Sequence, residues 1–252
     1  MAPADDTMDE IARFSQEVTG NVDRLMADAD MQRLSRAWLG ELTRRRYTYN
    51  FTWLGRPVIQ LPQDLLAVQE IIWQVRPDLV IETGIAHGGS LIHSASLLEL
   101  LGGDRRVVGV DVDIRAHNRS EIERHPLSRR IQLIEGSSTD ERIAASVREQ
   151  ARGRRAVLVI LDSDHTHAHV LRELELYAPL VTRGSYLIVF DTLIEDLPDE
   201  LFAGRSWGKG NNPKTAVLRF LETTGRFEVD ARIPAKLLLT CAPDGYLRCI
   251  DD

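Results

Sequence analysis

From about residue 56 onward, short and almost uninterrupted apolar runs alternate with stretches of helical periodicity. The runs span 79–81, 107–110, 131–134, 156–161 and 186–190, and the helical stretches between them span 90–101, 114–124, 140–151 and 166–177. A strand that is apolar on both faces must be covered on both, so this alternation predicts an α/β fold with a mostly parallel sheet between two helical layers. Ahead of it, Pro62 and Asp64 open an apolar-periodic helix through Leu65, Leu66, Val68, Ile71, Ile72 and Val75. Behind it, Asn212-Pro213 reads as a helix start, with an asparagine N-cap and proline at the first helical position. Residues 227–229, 236–240 and 246–250 read as later strands.

Residues 1–50 have a different texture. They are charge-rich, and Ile11, Phe14, Val18, Val22, Leu25 and Met26 recur at helical spacing. This predicts two or three amphipathic helices that pack on the body or on another subunit. The expected organisation is an N-terminal helical extension over 1–50 and one domain over 51–252, assembled as a homo-oligomer. The run Arg44-Arg45-Arg46 reads first as a solvated face and second as a contact for an anionic substrate.

Composition narrows the function classes. The 252 residues are 43% hydrophobic and carry a net charge of −7, which supports a sizeable core and argues against a binder of nucleic-acid backbones. No stretch is long and apolar enough for a membrane span, and the acidic start MAPADDTMDE lacks the features of a secretory signal, so a cytoplasmic protein is expected. The two cysteines, Cys241 and Cys249, read as buried thiols rather than a disulfide framework.

In a doubly wound sheet, ligands bind beyond the carboxyl ends of the strands. All five runs end there in an acidic residue: Glu82, Asp111, Glu135, Asp162 and Asp191. The first is followed by Thr83-Gly84-Ile85-Ala86-His87-Gly88-Gly89-Ser90, a glycine-rich loop that opens a helix but matches neither the dinucleotide fingerprint nor a P-loop. Asp111, at the end of the next strand, is placed to accept hydrogen bonds from ribose hydroxyls. Together with Glu135-Gly136-Ser137-Ser138 after the third run, these features fit S-adenosylmethionine better than a pyrophosphate ligand.

The fourth run leads into Asp162-Ser163-Asp164-His165-Thr166-His167-Ala168-His169. Asp162 and Asp191, ending adjacent strands, are candidates to face one divalent cation, with Asp164 as a third ligand. If the helix includes His165, then His165 and His169 share a face while His167 points away, which disfavours a zinc reading of the three histidines. His165 is either a general base, since an imidazole ordinarily titrates near about 6.5, or a structural cap. The segment Trp207-Gly208-Lys209-Gly210-Asn211-Asn212-Pro213 is either a surface loop or a lid in which Trp207 shields the substrate and Lys209 holds an anion.

The strings VIETGIAHGGS, VVGVDVDIR, LVILDSDHTHAHVLRELELYAPLVTRGSYLIVFDT, WGKGNNPKTAV and APDGYL resemble a family of proteins known as cephalosporin hydroxylases, which also holds rhamnosyl O-methyltransferases. The resemblance covers about residues 50–250. It implies a class I methyltransferase fold, Rossmann-like, that uses S-adenosylmethionine and a divalent metal, commonly magnesium. It places Glu82, Gly84, Gly88, Ser90, Asp111 and Ser137 at cofactor positions, with Thr83 and His87 of the same loop and Asp162 beside them. Asp162 matches a metal aspartate. Related enzymes carry two adjacent oxygen ligands after the fifth strand, whereas here the pair is Phe190-Asp191, so one ligand is missing and Asp164 or water is left to replace it.

The resulting expectation is a metal-assisted O-methyltransferase in antibiotic biosynthesis. It acts on a deoxysugar hydroxyl, the 3-hydroxyl of TDP-rhamnose, with Asp162, His165 and Asp191 catalytic and Trp207, Lys209, Asn211 and Arg45 at the substrate. The rivals are methylation of a finished glycoside, a small-molecule hydroxylase with a two-histidine iron site, and a non-catalytic S-adenosylmethionine-binding subunit.

Overall fold

The computed structural model describes residues 4–251. Two helices come first, α1 (Ala4–Ala27) and α2 (Ala29–Arg44). A short hairpin follows, β1 (Phe51–Trp53) and β2 (Arg56–Val58), which the apolar pattern had not marked because each strand is only three residues long. Then come α3 (Pro62–Val75), β3 (Leu79–Thr83), α4 (Gly89–Leu101), β4 (Arg106–Asp111), α5 (Ala116–Arg124), β5 (Ile131–Glu135), α6 (Glu141–Ala151), β6 (Val157–Leu161), α7 (His167–Tyr177), β7 (Tyr186–Val189), α8 (Pro213–Leu221), β8 (Phe227–Val229), α9 (Arg232–Leu237) and β9 (Tyr246–Cys249).

The main sheet has seven strands in the order β5-β4-β3-β6-β7-β9-β8. The first five are parallel, and β9 runs antiparallel to both β7 and β8. This is the Rossmann-like class I methyltransferase arrangement, with the antiparallel strand β9 inserted between β7 and the edge strand β8. The alternation of side chains is visible in the core. Val80, Val107, Leu158 and Ile188 join Ile72, Leu98 and Ile122 of α3, α4 and α5 on one face. Leu79, Ile81, Val108 and Val159 join Val147, Leu174 and Val217 of α6, α7 and α8 on the other.

Helix starts follow local chemistry. Asp140 caps α6, and Asn212 forms a capping box with Thr215 ahead of Pro213 at the first position of α8. The segment 236–240, expected as a strand, instead holds the end of α9 and the turn after it. Asp230 accepts from the Arg232 amide to start that helix. Pro234 lies within its first turn, where a missing N–H costs nothing.

Helix α1 meets α9 through an ion pair between Asp23 and Arg232 at 2.5 Å and through the buried Val22. Its earlier turns leave Ile11 and Phe14 exposed. Helix α2 reaches the body through Leu39 and through Gly40, whose backbone packs at the Leu197 side chain. Among the described residues, no helix is long and apolar enough to cross a membrane.

Candidate functional site

The strand order reverses between β3 and β6, which opens a crevice at their carboxyl ends. The glycine loop lies there. Gly84 has φ +88°, and a Cβ at this position would meet the Asp162 carbonyl oxygen at 1.9 Å, so the two strand ends approach too closely for any side chain. The loop is then tied down from outside. Asp111 Oδ2 accepts from the Ile85 amide at 2.8 Å and the Ala86 amide at 3.3 Å. Arg56 donates twice to the His87 carbonyl, and Asn118 donates to the Ala86 carbonyl at 2.8 Å. The N-terminus of α4 is thereby fixed at the crevice.

Beside the loop, Asp162, His165 and Asp191 form a cluster whose ligand atoms all lie within 4.8 Å of one another. His165 Nε2 is 3.3 Å from Asp191 Oδ2, and the Trp207 ring packs edge-on against the imidazole at a centroid distance of 4.9 Å. Asp191 has φ +57°, a left-handed conformation that aspartate tolerates better than most residues. Gln60 Nε2 donates to Asp162 Oδ2 at 2.8 Å. Burial, then the charges of Asp191 and Glu82, hold the Asp162 carboxyl well above the ordinary carboxylate range, against the Gln60 bond. Burial likewise pushes Glu82 up to about 7, against a hydrogen bond from Ser90.

Asp164 stands apart from this cluster. Its Oδ1 accepts from both the amide and the hydroxyl of Thr166, so it braces the turn into α7 instead of serving as the third ligand. Phe190 is buried in the core, and the third group of the cluster is His165. The helical argument about the histidines also changes, because α7 begins at His167 and His165 lies in the turn before it. His169 bonds Ser138 and Ser163 and pairs with Glu173, while His167 bonds Thr215. The three histidines therefore serve three separate places.

The cluster opens into a cavity of about 680 Å³, the size of a site for one or two small ligands. Of the residues expected at the cofactor, Gly84, His87, Ser90 and Asp162 line it, as does Trp207 of the expected substrate set. Glu82, Thr83, Gly88, Asp111 and Ser137 lie outside the lining. Asp111 is engaged by the loop, and the Ser137 hydroxyl bonds that of Thr139. Lys209, Asn211 and Arg45 also lie outside. Arg45 pairs with Glu41 on the exposed side of α2, and Asn211 accepts from the His167 amide. The loop carrying Lys209 is braced, with Asp199 accepting from the Lys209 amide and Glu195 from the Gly210 amide, so its glycines form a tied turn rather than open hinges.

The cavity's arginines are Arg44, Arg46 and Arg205. Arg46 stacks over Tyr49 at 4.2 Å and Arg205 over Trp207 at 5.3 Å. Sequence reading had marked Arg44 and Arg46 only as part of a run, and Arg205 not at all. Gln60 was missed as well, although a single polar residue inside the apolar run Val58-Ile59-Gln60-Leu61 was a usable signal. The pocket thus carries acidic groups at Asp162, Asp191 and Glu200 and basic groups at Arg44, Arg46 and Arg205.

Two carboxylates and an imidazole around one point fit a divalent cation. Hard oxygen ligands suit magnesium or manganese, and bound water completes their coordination. A half-buried like-charged pair also gains from a cation between its members. The set holds one histidine and two carboxylates, the inverse of the two-histidine iron centre that a hydroxylase reading requires.

Residues 45–250 match the family described as rhamnosyl O-methyltransferase/CmcI. A rhamnosyl O-methyltransferase of Mycobacterium tuberculosis (strain ATCC 25618 / H37Rv) is 31% identical over 228 residues, covering 88% of this chain and 85% of that protein. One from Mycobacterium leprae (strain TN) is 32% identical over 202 residues, covering 78% and 82%. Among solved structures, the apo form of CmcI superposes with a TM-score of 0.55 at 20% identity, covering 81% of this chain and 78% of that one. A putative O-methyltransferase from Klebsiella pneumoniae gives 0.53 at 15% identity, covering 86% and 90%. Family match, sequence relatives and strand order agree, and the chain belongs to the rhamnosyl O-methyltransferase/CmcI family.

Proposed function

We propose that this protein transfers the methyl group of S-adenosylmethionine to a deoxysugar hydroxyl, the 3-hydroxyl of TDP-rhamnose, in antibiotic biosynthesis. The observation that carries the reading is the Asp162–His165–Asp191 cluster, which opens into the same cavity as the Gly84–Ser90 loop. The relatives named as rhamnosyl O-methyltransferases, and a CmcI structure with magnesium and S-adenosylmethionine at a TM-score of 0.54, support the choice of cofactors.

The α4 N-terminus, with its free amides and positive dipole end, suits the methionyl carboxylate. Asp111 holds the loop in register, and it is the group that would accept from the ribose hydroxyls. Asp162 and Asp191 would hold the divalent metal. When bound, such a cation lowers the pKa of a coordinated hydroxyl and orients it. His165 takes the hydroxyl proton at the ring nitrogen that does not face Asp191, and Asp191, 3.3 Å from Nε2, steadies the imidazolium that results. The oxygen then attacks the methyl carbon as the bond from that carbon to sulfur breaks, leaving S-adenosylhomocysteine and the methyl ether. Trp207 shields this end from water.

Residues 1–50 contribute through α2, which supplies one wall of the acceptor end. The exposed Ile11, Phe14, Leu34 and Trp38 are then subunit contacts in a homo-oligomer. The test is a methyl-transfer screen with labelled cofactor against nucleotide sugars and glycosides, with and without magnesium. Transfer to a deoxysugar hydroxyl is expected. Oxygen-dependent turnover with 2-oxoglutarate and no transfer would point to the hydroxylase reading, which no feature of the cluster favours.

A further inference from the structure

Asp162 also borders a second, much smaller space of about 10 Å³ that His165 does not line. Gln60, Glu82, Ser90, His93 and Asp162 line it together with apolar side chains that include Phe190. Three of these residues bring a buried polar atom without a protein partner: Gln60 Oε1, Glu82 Oε2 and His93 Nε2. Gln60, Glu82 and His93 are only 5%, 1% and 2% exposed, so bulk water does not reach them. Buried polar groups are as a rule hydrogen-bonded, and a volume near one probe sphere suffices for one water molecule.

The donor and acceptor count matches. His93 bonds the Leu65 carbonyl through its ring, which leaves Nε2 as an acceptor. Gln60 donates its amide to Asp162, so Oε1 faces the other way as a second acceptor. Glu82 accepts from Ser90 at Oε1, and in the neutral form of its carboxyl the unpartnered Oε2 is a donor. A water has two hydrogens for the two acceptors and a lone pair for the donor.

We infer that this space holds one ordered water bridging Gln60, Glu82 and His93, and that the bridge fixes the Gln60 amide so that it orients the Asp162 carboxylate. Gln60 and His93 are then positioning residues, acting through Asp162. The effect on metal affinity rests on the reading of Asp162 as a metal ligand, whereas the water itself does not.

Two measurements test this. A high-resolution crystal structure of the full chain is expected to show density within hydrogen-bond distance of all three atoms, and its absence would overturn the water. Manganese binding, followed by electron paramagnetic resonance, is expected to weaken by about 10–100-fold in Gln60→Leu, the usual effect of removing a group that orients a metal ligand. His93→Leu is expected to weaken it in the same direction and His93→Gln, which keeps an acceptor, to restore it, with circular dichroism confirming that each variant folds. Wild-type affinity in folded His93→Leu would overturn the positioning role. If the wild-type protein bound no manganese, the metal reading and with it the positioning role would fall, and the water would still be decided by the density.

Discussion

His165 Nε2 lies 3.3 Å from Asp191 Oδ2, although the two residues follow different strands, β6 and β7. The contact exists because adjacent parallel strands end in register, with Leu161 opposite Val189. The left-handed backbone at Asp191 then turns its carboxylate back toward the loop after β6. An imidazole held by a carboxylate on one side and by Trp207 on another is oriented for proton transfer. His165→Ala is expected to lower kcat by about 10²–10⁴-fold while sparing S-adenosylmethionine affinity. A near-normal rate would make His165 a structural element of the turn before α7.

The Asp162–Asp191 pair is expected to make activity metal-dependent. Chelation should abolish most turnover, and magnesium or manganese should restore it. Asp162→Asn should then raise the metal concentration needed for half-activation. Full activity in thoroughly chelated enzyme would reassign both carboxylates to the cofactor or the sugar.

Much of this site was legible because apolar runs mark buried parallel strands and ligands gather at their carboxyl ends. That reasoning reached Glu82, Asp111, Asp162 and Asp191 without any contact information. It passed over Gln60, a polar residue inside an apolar run whose significance depends on a contact across 102 positions in the chain. It chose Arg45 from a run of three arginines because a run carries no information about which side chains face a cavity. In the structure Arg44 and Arg45 both pair with Glu41, and Arg44 and Arg46, not Arg45, line the pocket. The strand expected at 236–240 failed for a similar reason. Its apolar residues pack as a turn and helix end, and Thr240 is held by a buried carboxylate, Asp64.

Asp111 anchors the glycine loop through the Ile85 and Ala86 amides, and it is also the residue expected to meet the ribose. Asp111→Ala removes both roles. S-adenosylmethionine binding should weaken by about 1–3 kcal/mol, the scale of lost charge-assisted hydrogen bonds. Calorimetry on the purified variant would show this directly, and unchanged affinity would remove Asp111 from the cofactor site.

Asp64 gives a stability prediction independent of catalysis. It is fully buried and accepts from Thr240, the Cys241 amide and Tyr246, yet burial outweighs these bonds and pushes its carboxyl up to about 6. The unfolded chain releases this proton near pH 4, so the folded state holds it longer. The stabilisation is present below about pH 4 and is lost as pH rises to about 6, on the order of 3 kcal/mol for two pKa units. Measured between pH 4.5 and 7, the melting temperature of wild type relative to Asp64→Asn should fall up to about pH 6 and then level off. A constant difference would show that Asp64 ionises normally.

The arginines that line the cavity decide between a nucleotide sugar and a finished glycoside. Arg46 and Arg205 both line the pocket and have no carboxylate partner among the described residues. Each is stacked on an aromatic ring. Stacking restrains the guanidinium while leaving its N–H groups available, which suits bidentate binding of a diphosphate. Arg46→Ala and Arg205→Ala are therefore expected to raise KM for TDP-rhamnose by roughly ten-fold or more, the scale of one lost charged hydrogen bond, with little change in kcat. KM for an uncharged rhamnoside should stay the same in both variants, which separates loss of the diphosphate contact from a general loosening of the wall formed by α2. Equal effects on both substrates, or none on either, would show that these cations do not read a diphosphate and would make the finished glycoside the better acceptor.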